Sequence, residues 1–285
     1  GGGLTSNYGT GVSSGQTITP TSAASASTGV RIMKAYPEFA QDALTASEKV
    51  MPSSASDNVL LYKWKVTAKN GDISIYKFSF SVASSTATAS NATTTKFSVY
   101  AYTNSTYSSA DQVLASTGLI NVGSCYGDKA SSIAGTNADP SMSGPGNLGT
   151  GSTMVEIYPT TACHSGTTTL KIPSGESRWF KLKASMGTPA ASNTADSLRV
   201  QLEGDAAFPS KAVSLMLTAG TSTVAAIGDF VSGVNADANN DFIWSPRSTS
   251  TNENDTNYQY NLDWTNGYGV SGLTDPAMDT ETISK

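Results

Sequence analysis

Residues 235–241 read NADANND and place Asn235, Asp237, Asn239 and Asp241 at every second position. Calcium takes several hard oxygen ligands, and Asp237, Asn239 and Asp241 supply three from one tight loop. Counted from Asp237, the twelfth position is Ser248, where an EF-hand loop carries Glu. The stretch therefore reads either as a candidate calcium loop or as an Asx-rich turn that satisfies its own backbone. Other chemistry is harder to place. The single histidine, His164, follows Cys163 directly, and any Ser-His-acid triad would have to use it. No His/Cys cluster has zinc spacing, and no glycine loop runs into Lys and Ser/Thr to cradle phosphate. A pair of carboxylates for glycoside hydrolysis would meet only in the fold. Most acids sit in loops or on the outer side of alternating segments, so the reading is of a protein that is not an enzyme and has no required cofactor.

Two cysteines, Cys125 and Cys163, stand in a chain with the composition of a secreted protein. One disulfide is the expectation, contributing roughly 4 kcal/mol in the chain-entropy model. Three Asn-x-Ser/Thr sequons, at Asn91, Asn104 and Asn254, matter only in a source that glycosylates its surface proteins. Residues 239–270 are crowded with Asn, Asp, Ser and Thr yet hold Trp244, Tyr258, Tyr260, Trp264 and Tyr268. Three roles fit these rings: anchors that pin an irregular tail onto its own domain, contacts to a neighbouring subunit, or a platform for sugar rings.

The elements that must position these groups are strands. Charged residues make up 14% of the chain, against ~25% in ordinary domains, and about a quarter of the residues are Ser or Thr. That balance suits extracellular β proteins. The net charge of −5 gives no electrostatic reason to bind nucleic acid or anionic lipid. No segment approaches the ~18 apolar residues of a membrane helix. In VLLYKWKVT, Leu60, Tyr62, Trp64 and Val66 alternate with Lys63, Lys65 and Thr67. In YKFSFSV, Tyr76, Phe78, Phe80 and Val82 are expected inward, with Lys77, Ser79 and Ser81 outward. Asn70-Gly71 between these runs is a hairpin signal. Further alternation occurs in KFSVYAYT, TMVEIY, TTLKI, SRWFKLKA, SLRVQLEG, VSLMLT and STVAAIGDF. Residues 37–50 would hold a turn or two of helix at most. The expected fold class is all-β, an antiparallel β-sandwich of immunoglobulin-like or jelly-roll-like type.

Three regions follow. Residues 1–29 form a low-complexity arm without a core of its own, whose Thr17, Ile18 and Thr19 could pair as a donor strand. Residues 30–227 form one elaborated sandwich with a long central loop at 103–150; two smaller sandwiches split within that loop are the alternative. Residues 228–285 form an irregular docked tail. The N-terminus carries no signal peptide or initiator Met, which reads as a processed chain or a piece of a longer one.

DFIWSPRSTST, DWTNGYGVSGL, SRWFKLKA, VQLEGDAAFPS and LYKWKVTA with GDISIYKFSFSV together resemble a group of secreted β-rich cell-surface proteins of candidate-phyla-radiation bacteria. The resemblance runs from Val30 onward, and its distinctive parts are Asp241–Pro246 and Asp263–Leu273. It implies export, a β-rich domain and a place at the cell surface, and it carries over no catalytic residue. The combined expectation is an extracellular structural protein that assembles with copies of itself into a filament or surface layer, through strand donation by the arm. An adhesin or carbohydrate-binding module that meets surface glycans is the alternative.

Overall fold

In the computed structural model the described residues are 9–10, 17–18, 33–85, 94–121, 126–128, 151–159, 169–188, 196–205, 241–247, 265–273 and 278–285. The chain divides into two compact units, Gly1–Ile32 and Met33–Lys285. In the first, β1 (Gly9–Thr10) and β2 (Thr17–Ile18) pair antiparallel, with Gly9 opposite Ile18.

The described part of the second unit is all-β. A four-stranded antiparallel sheet has the order β3 (Tyr36–Gln41), β4 (Ser56–Lys69), β10 (Ser177–Met186), β6 (Thr94–Tyr102). A seven-stranded sheet runs β13 (Glu281–Ser284), β11 (Ser197–Leu202), β5 (Ile73–Ser85), β8 (Gly151–Ile157), β7 (Tyr126–Asp128). In it, β9 (Leu170–Ile172) and β12 (Ile243–Ser245) also pair with β5. Strict alternation in β10 buries Phe180, Leu182 and Ala184 and leaves Trp179, Lys181 and Lys183 half-exposed on the other face. The buried faces of the two sheets meet in one core. Trp64 of β4 stacks on Phe180 at 5.0 Å and meets Phe78 and Phe80 of β5 edge-on, each at 5.3 Å. Burying each such ring is worth roughly 1.5–3 kcal/mol.

The sheet edges are closed by other parts of the chain. Residues 110–121 run beside β6, where Ile120 donates to the Val99 carbonyl and Ala101 to the Gly118 carbonyl. The Asn121 side chain extends this ladder, accepting from the Val99 N–H and donating to the Phe97 carbonyl. So part of the expected loop at 103–150 edges a sheet. Residues 49–51 flank β13, with Met51 donating to Ser284 and Ser284 to Lys49. On β3, the Phe39 N–H donates to the Ser271 carbonyl.

Gly272 makes that last approach feasible. Its φ is +79°, and a Cβ there would run into the Phe39 carbonyl oxygen. Gly272→Ala is expected to cost about 2 kcal/mol or more and to lower the melting temperature by about 5 °C. Gly269 also has positive φ but open space around it, so Gly269→Ala should lose distinctly less in the same thermal melt.

Two expectations are corrected here. Residues 37–50 form β3 and a turn, because Phe39 alternates into the core at 4% exposure and Leu44 follows it at 4%. Residues 228–285 are not merely an irregular appendage. They supply β12 and β13, pairing with the central strands β5 and β11, so the sandwich is not complete by Ile227. The segments VSLMLT and STVAAIGDF lie outside the described residues.

Candidate functional site

The two tail motifs converge on one carboxylate. Asp205, three residues beyond β11, is 1% exposed. Its Oδ1 accepts from the Asp241 N–H at 2.6 Å, and its Oδ2 accepts from the N–H groups of Phe242 at 3.0 Å and Gly267 at 2.6 Å. Gly267 must be small here, since a Cβ would come within 2.9 Å of Oδ2. Residues 241–247 and 265–273 then bond to each other. Trp244 and Thr265 exchange both backbone hydrogen bonds, at 3.0 and 2.8 Å, and the Trp244 indole N–H donates to the Asn266 carbonyl. Burial and the nearby Asp241 charge push the Asp205 carboxyl up to about 7, against the lowering pull of its three N–H donors.

A second polar cluster lies on the other side of β5. The β5–β12 register slips between Ile243, opposite Lys77, and Trp244, opposite Ile75, leaving Tyr76 as the extra residue of a bulge. Ile73 and Ile75 before it, and Phe78, Phe80 and Val82 after it, all reach the core. Tyr76 does not, and packs edge-on against Tyr158 at 5.9 Å. The expected outward positions Lys77 and Ser79 are each 0% exposed, which corrects the simple alternation: this face of the sheet is covered. Lys77 Nζ lies 2.7 Å from Glu156 Oε1, and the Tyr158 hydroxyl donates to Glu156 Oε2 at 2.7 Å. Ser79 Oγ donates to the Asp241 carbonyl. Burial, with the Glu156 charge beside them, raises the Tyr76 and Tyr158 phenols above their ordinary value.

The outward face of the four-stranded sheet is different in kind. Across its register Trp179 stands between Lys65 and Tyr102, Lys181 between Lys63 and Tyr100, and Lys183 beside Ser98. Lys181 Nζ lies 4.2 Å from the Tyr107 ring centre and 5.5 Å from that of Tyr102; Lys183 Nζ lies 4.9 Å from that of Tyr100. The Tyr107 hydroxyl is held by Asp42 at 2.6 Å. Lys63 is paired with Glu48 at 3.0 Å.

The residues expected to act are scattered. Trp244 is 1% exposed in the core of its own chain, so its ring faces are closed to a sugar. Tyr268 is 45% exposed. Asp241 is buried against Asp205, and its calcium-loop companions Asp237 and Asn239 lie outside the described residues. Among the described residues no group of three or more His, Cys, Asp or Glu is placed to hold a metal. Ile18 pairs within its own unit, opposite Gly9. The Asn104 side chain accepts from the N–H groups of Ser108 and Ser109 and donates to Ser108 Oγ, folding its loop. Cys125, Cys163, Asn91, Asn254, Tyr258, Tyr260 and Trp264 lie outside the described residues. Asp205, Lys77 and Glu156 escaped the sequence reading. Opposite charges at outward positions of two adjacent strands were the available signal for the last two. Among the described residues no helix is long and apolar enough to cross a membrane, which says nothing of a β-barrel.

No family model matches the chain, and no curated protein matches it. A solved structure described as "AvmM Catalyzes Macrocyclization in Alchivemycin A Biosynthesis" is similar at 9% identity over 63% of this chain and 78% of that one, with a TM-score of 0.21. A likeness at that score carries no functional argument.

Proposed function

We propose that the chain is a non-enzymatic extracellular structural protein that assembles with copies of itself into a filament or surface layer. The observation that supports this most is the division of the chain: Gly1–Ile32 forms a compact unit of its own and contains the β-compatible Thr17–Ile18. The edges at β3, β6 and β13 are bonded by the chain's own segments. A donated strand would then add beyond β7, where the described sheet ends. The low charge and the Ser/Thr-rich composition favour an extracellular place.

Negative-stain microscopy of the full chain should show regular polymers. Removal of residues 1–32 should give a monomer with an unchanged melting temperature. Polymers from the truncated chain would sink strand donation by the arm, and dispersed particles from the full chain would sink assembly itself.

A further inference from the structure

The outward face of the four-stranded sheet concentrates positive charge on an acidic protein. Lys65, Lys181 and Lys183 stand on it half-buried, and among the described residues none has a carboxylate within ion-pair distance. Burial, together with the neighbouring charges of Lys183 and Lys63, lowers the proton affinity of Lys181. The acids at the margin are mostly engaged: Glu48 by Lys63, Glu38 by Lys69 at 3.5 Å, and Asp42 by Tyr107. Like charges held on adjacent strands repel, and an anion laid across them relieves that repulsion. The aromatic rings add a second signal. Trp179 is half-buried in the row between Lys65 and Tyr102, and among the described residues no other ring stacks on it. Successive outward positions on β10 are about 6.6 Å apart and neighbouring strands about 4.8 Å, so cations and rings alternate at short intervals along this face. At the end of the strip is a shallow polar depression of about 250 Å³, bordered by Asp57, Lys96, Ser98 and Lys183.

We propose that this face binds a linear anionic polysaccharide whose sugar rings carry carboxylates. The carboxylates would meet Lys65, Lys181 and Lys183, and the C–H face of a ring would rest on Trp179. Alternating cations and rings along one sheet face fit a polymer whose every unit presents both an apolar face and a charge. An acidic peptide offers the charge without the ring. Every residue of the site belongs to the second unit, and the test reads glycan binding while that of the proposed function reads polymer formation.

The full chain is titrated calorimetrically with polygalacturonate in EDTA, with dextran and poly-L-glutamate as comparators. Saturable binding to polygalacturonate is expected, weakening as salt rises. Dextran should not bind, and poly-L-glutamate should bind at least tenfold more weakly. K181Q/K183Q should reduce affinity at least tenfold and W179A severalfold, with circular dichroism spectra matching the parent chain. K65Q, at the far margin of the strip, is a second variant whose partial loss would support the same face. Absence of binding, equal binding to poly-L-glutamate, or unchanged affinity in folded K181Q/K183Q would overturn the proposal.

Discussion

Asp205→Ala is expected to lower the melting temperature by about 10 °C. The carboxylate is the acceptor for three buried backbone N–H groups, on Asp241, Phe242 and Gly267. Removing it leaves donors in a site that is 1% exposed, and each unsatisfied buried group costs about 1–3 kcal/mol. A loss of about 4 kcal/mol follows, and a domain of this size loses roughly 2–4 °C per kcal/mol. Asp205→Asn keeps one acceptor but turns an amide N–H₂ toward donors, so it should recover only part of the loss. A melt of the Ala variant within 2 °C of the parent would contradict the clasp.

The same carboxylate gives a pH signature. In the unfolded chain it titrates near the ordinary aspartate value of ~3.9, and in the folded chain near 7. Between these values the native state holds a proton that the unfolded state does not. This group's contribution therefore makes the fold more stable as pH falls from about 7 to about 4, and it is flat outside that window. Glu48 and Asp72 act in the opposite sense: hydrogen bonds and their lysine partners hold both below the usual range, and the stability they give is lost as acid protonates them. In chemical denaturation across pH, Asp205→Asn should remove the rise on moving from pH 7 to pH 5. A parent protein equally stable at both values would contradict this assignment.

Lys77→Met should be as damaging. It strands the Glu156 carboxylate, 3% exposed, with only the Tyr158 hydroxyl and its remaining contacts in place of the ammonium. Breaking one side of a buried ion pair costs about 3–5 kcal/mol, and Glu156→Leu should cost a similar amount by taking from the buried ammonium its carboxylate at 2.7 Å. The double variant Lys77→Met/Glu156→Leu should regain most of the loss, because the two charges no longer need each other. Denaturant midpoints of the four proteins form the cycle. Losses that simply add would show that the pair is not coupled.

Much of the fold was legible because alternation is a local property. The faces of β10 follow from SRWFKLKA alone, since a strand with one wet side must repeat every two residues. The reading failed where a strand is covered on both sides or bulged. Tyr76, Lys77 and Ser79 looked like one inward and two outward positions, but a one-residue bulge and a second covered face moved all three. The tail was misjudged for a related reason. Ile243–Ser245 is three residues long, too short to show a period, and its partner strand lies far back in the chain. Asp205 was invisible because its role depends on three N–H groups brought from two later segments. The lysine and tyrosine face could have been found: Lys63 and Lys65 were set opposite the apolar positions, the alternation of SRWFKLKA puts Lys181 and Lys183 on the same kind of face, and only the register across β4 and β10 was missing.

The closing strand β13 has a consequence for when this sandwich can form. Glu281 is 2% exposed; it accepts from the Leu44 N–H, 237 residues earlier, and pairs with Lys49. A chain growing from its N-terminus can pair β3 with β4 early, but the contacts of Leu44 and Lys49 to Glu281 wait until β13 has been made. Contacts of such separation slow folding, since the loop must be closed before they return anything. The expected order is early pairing of β3 with β4 and late closure by β13, so the finished sandwich forms only after β13 has been made.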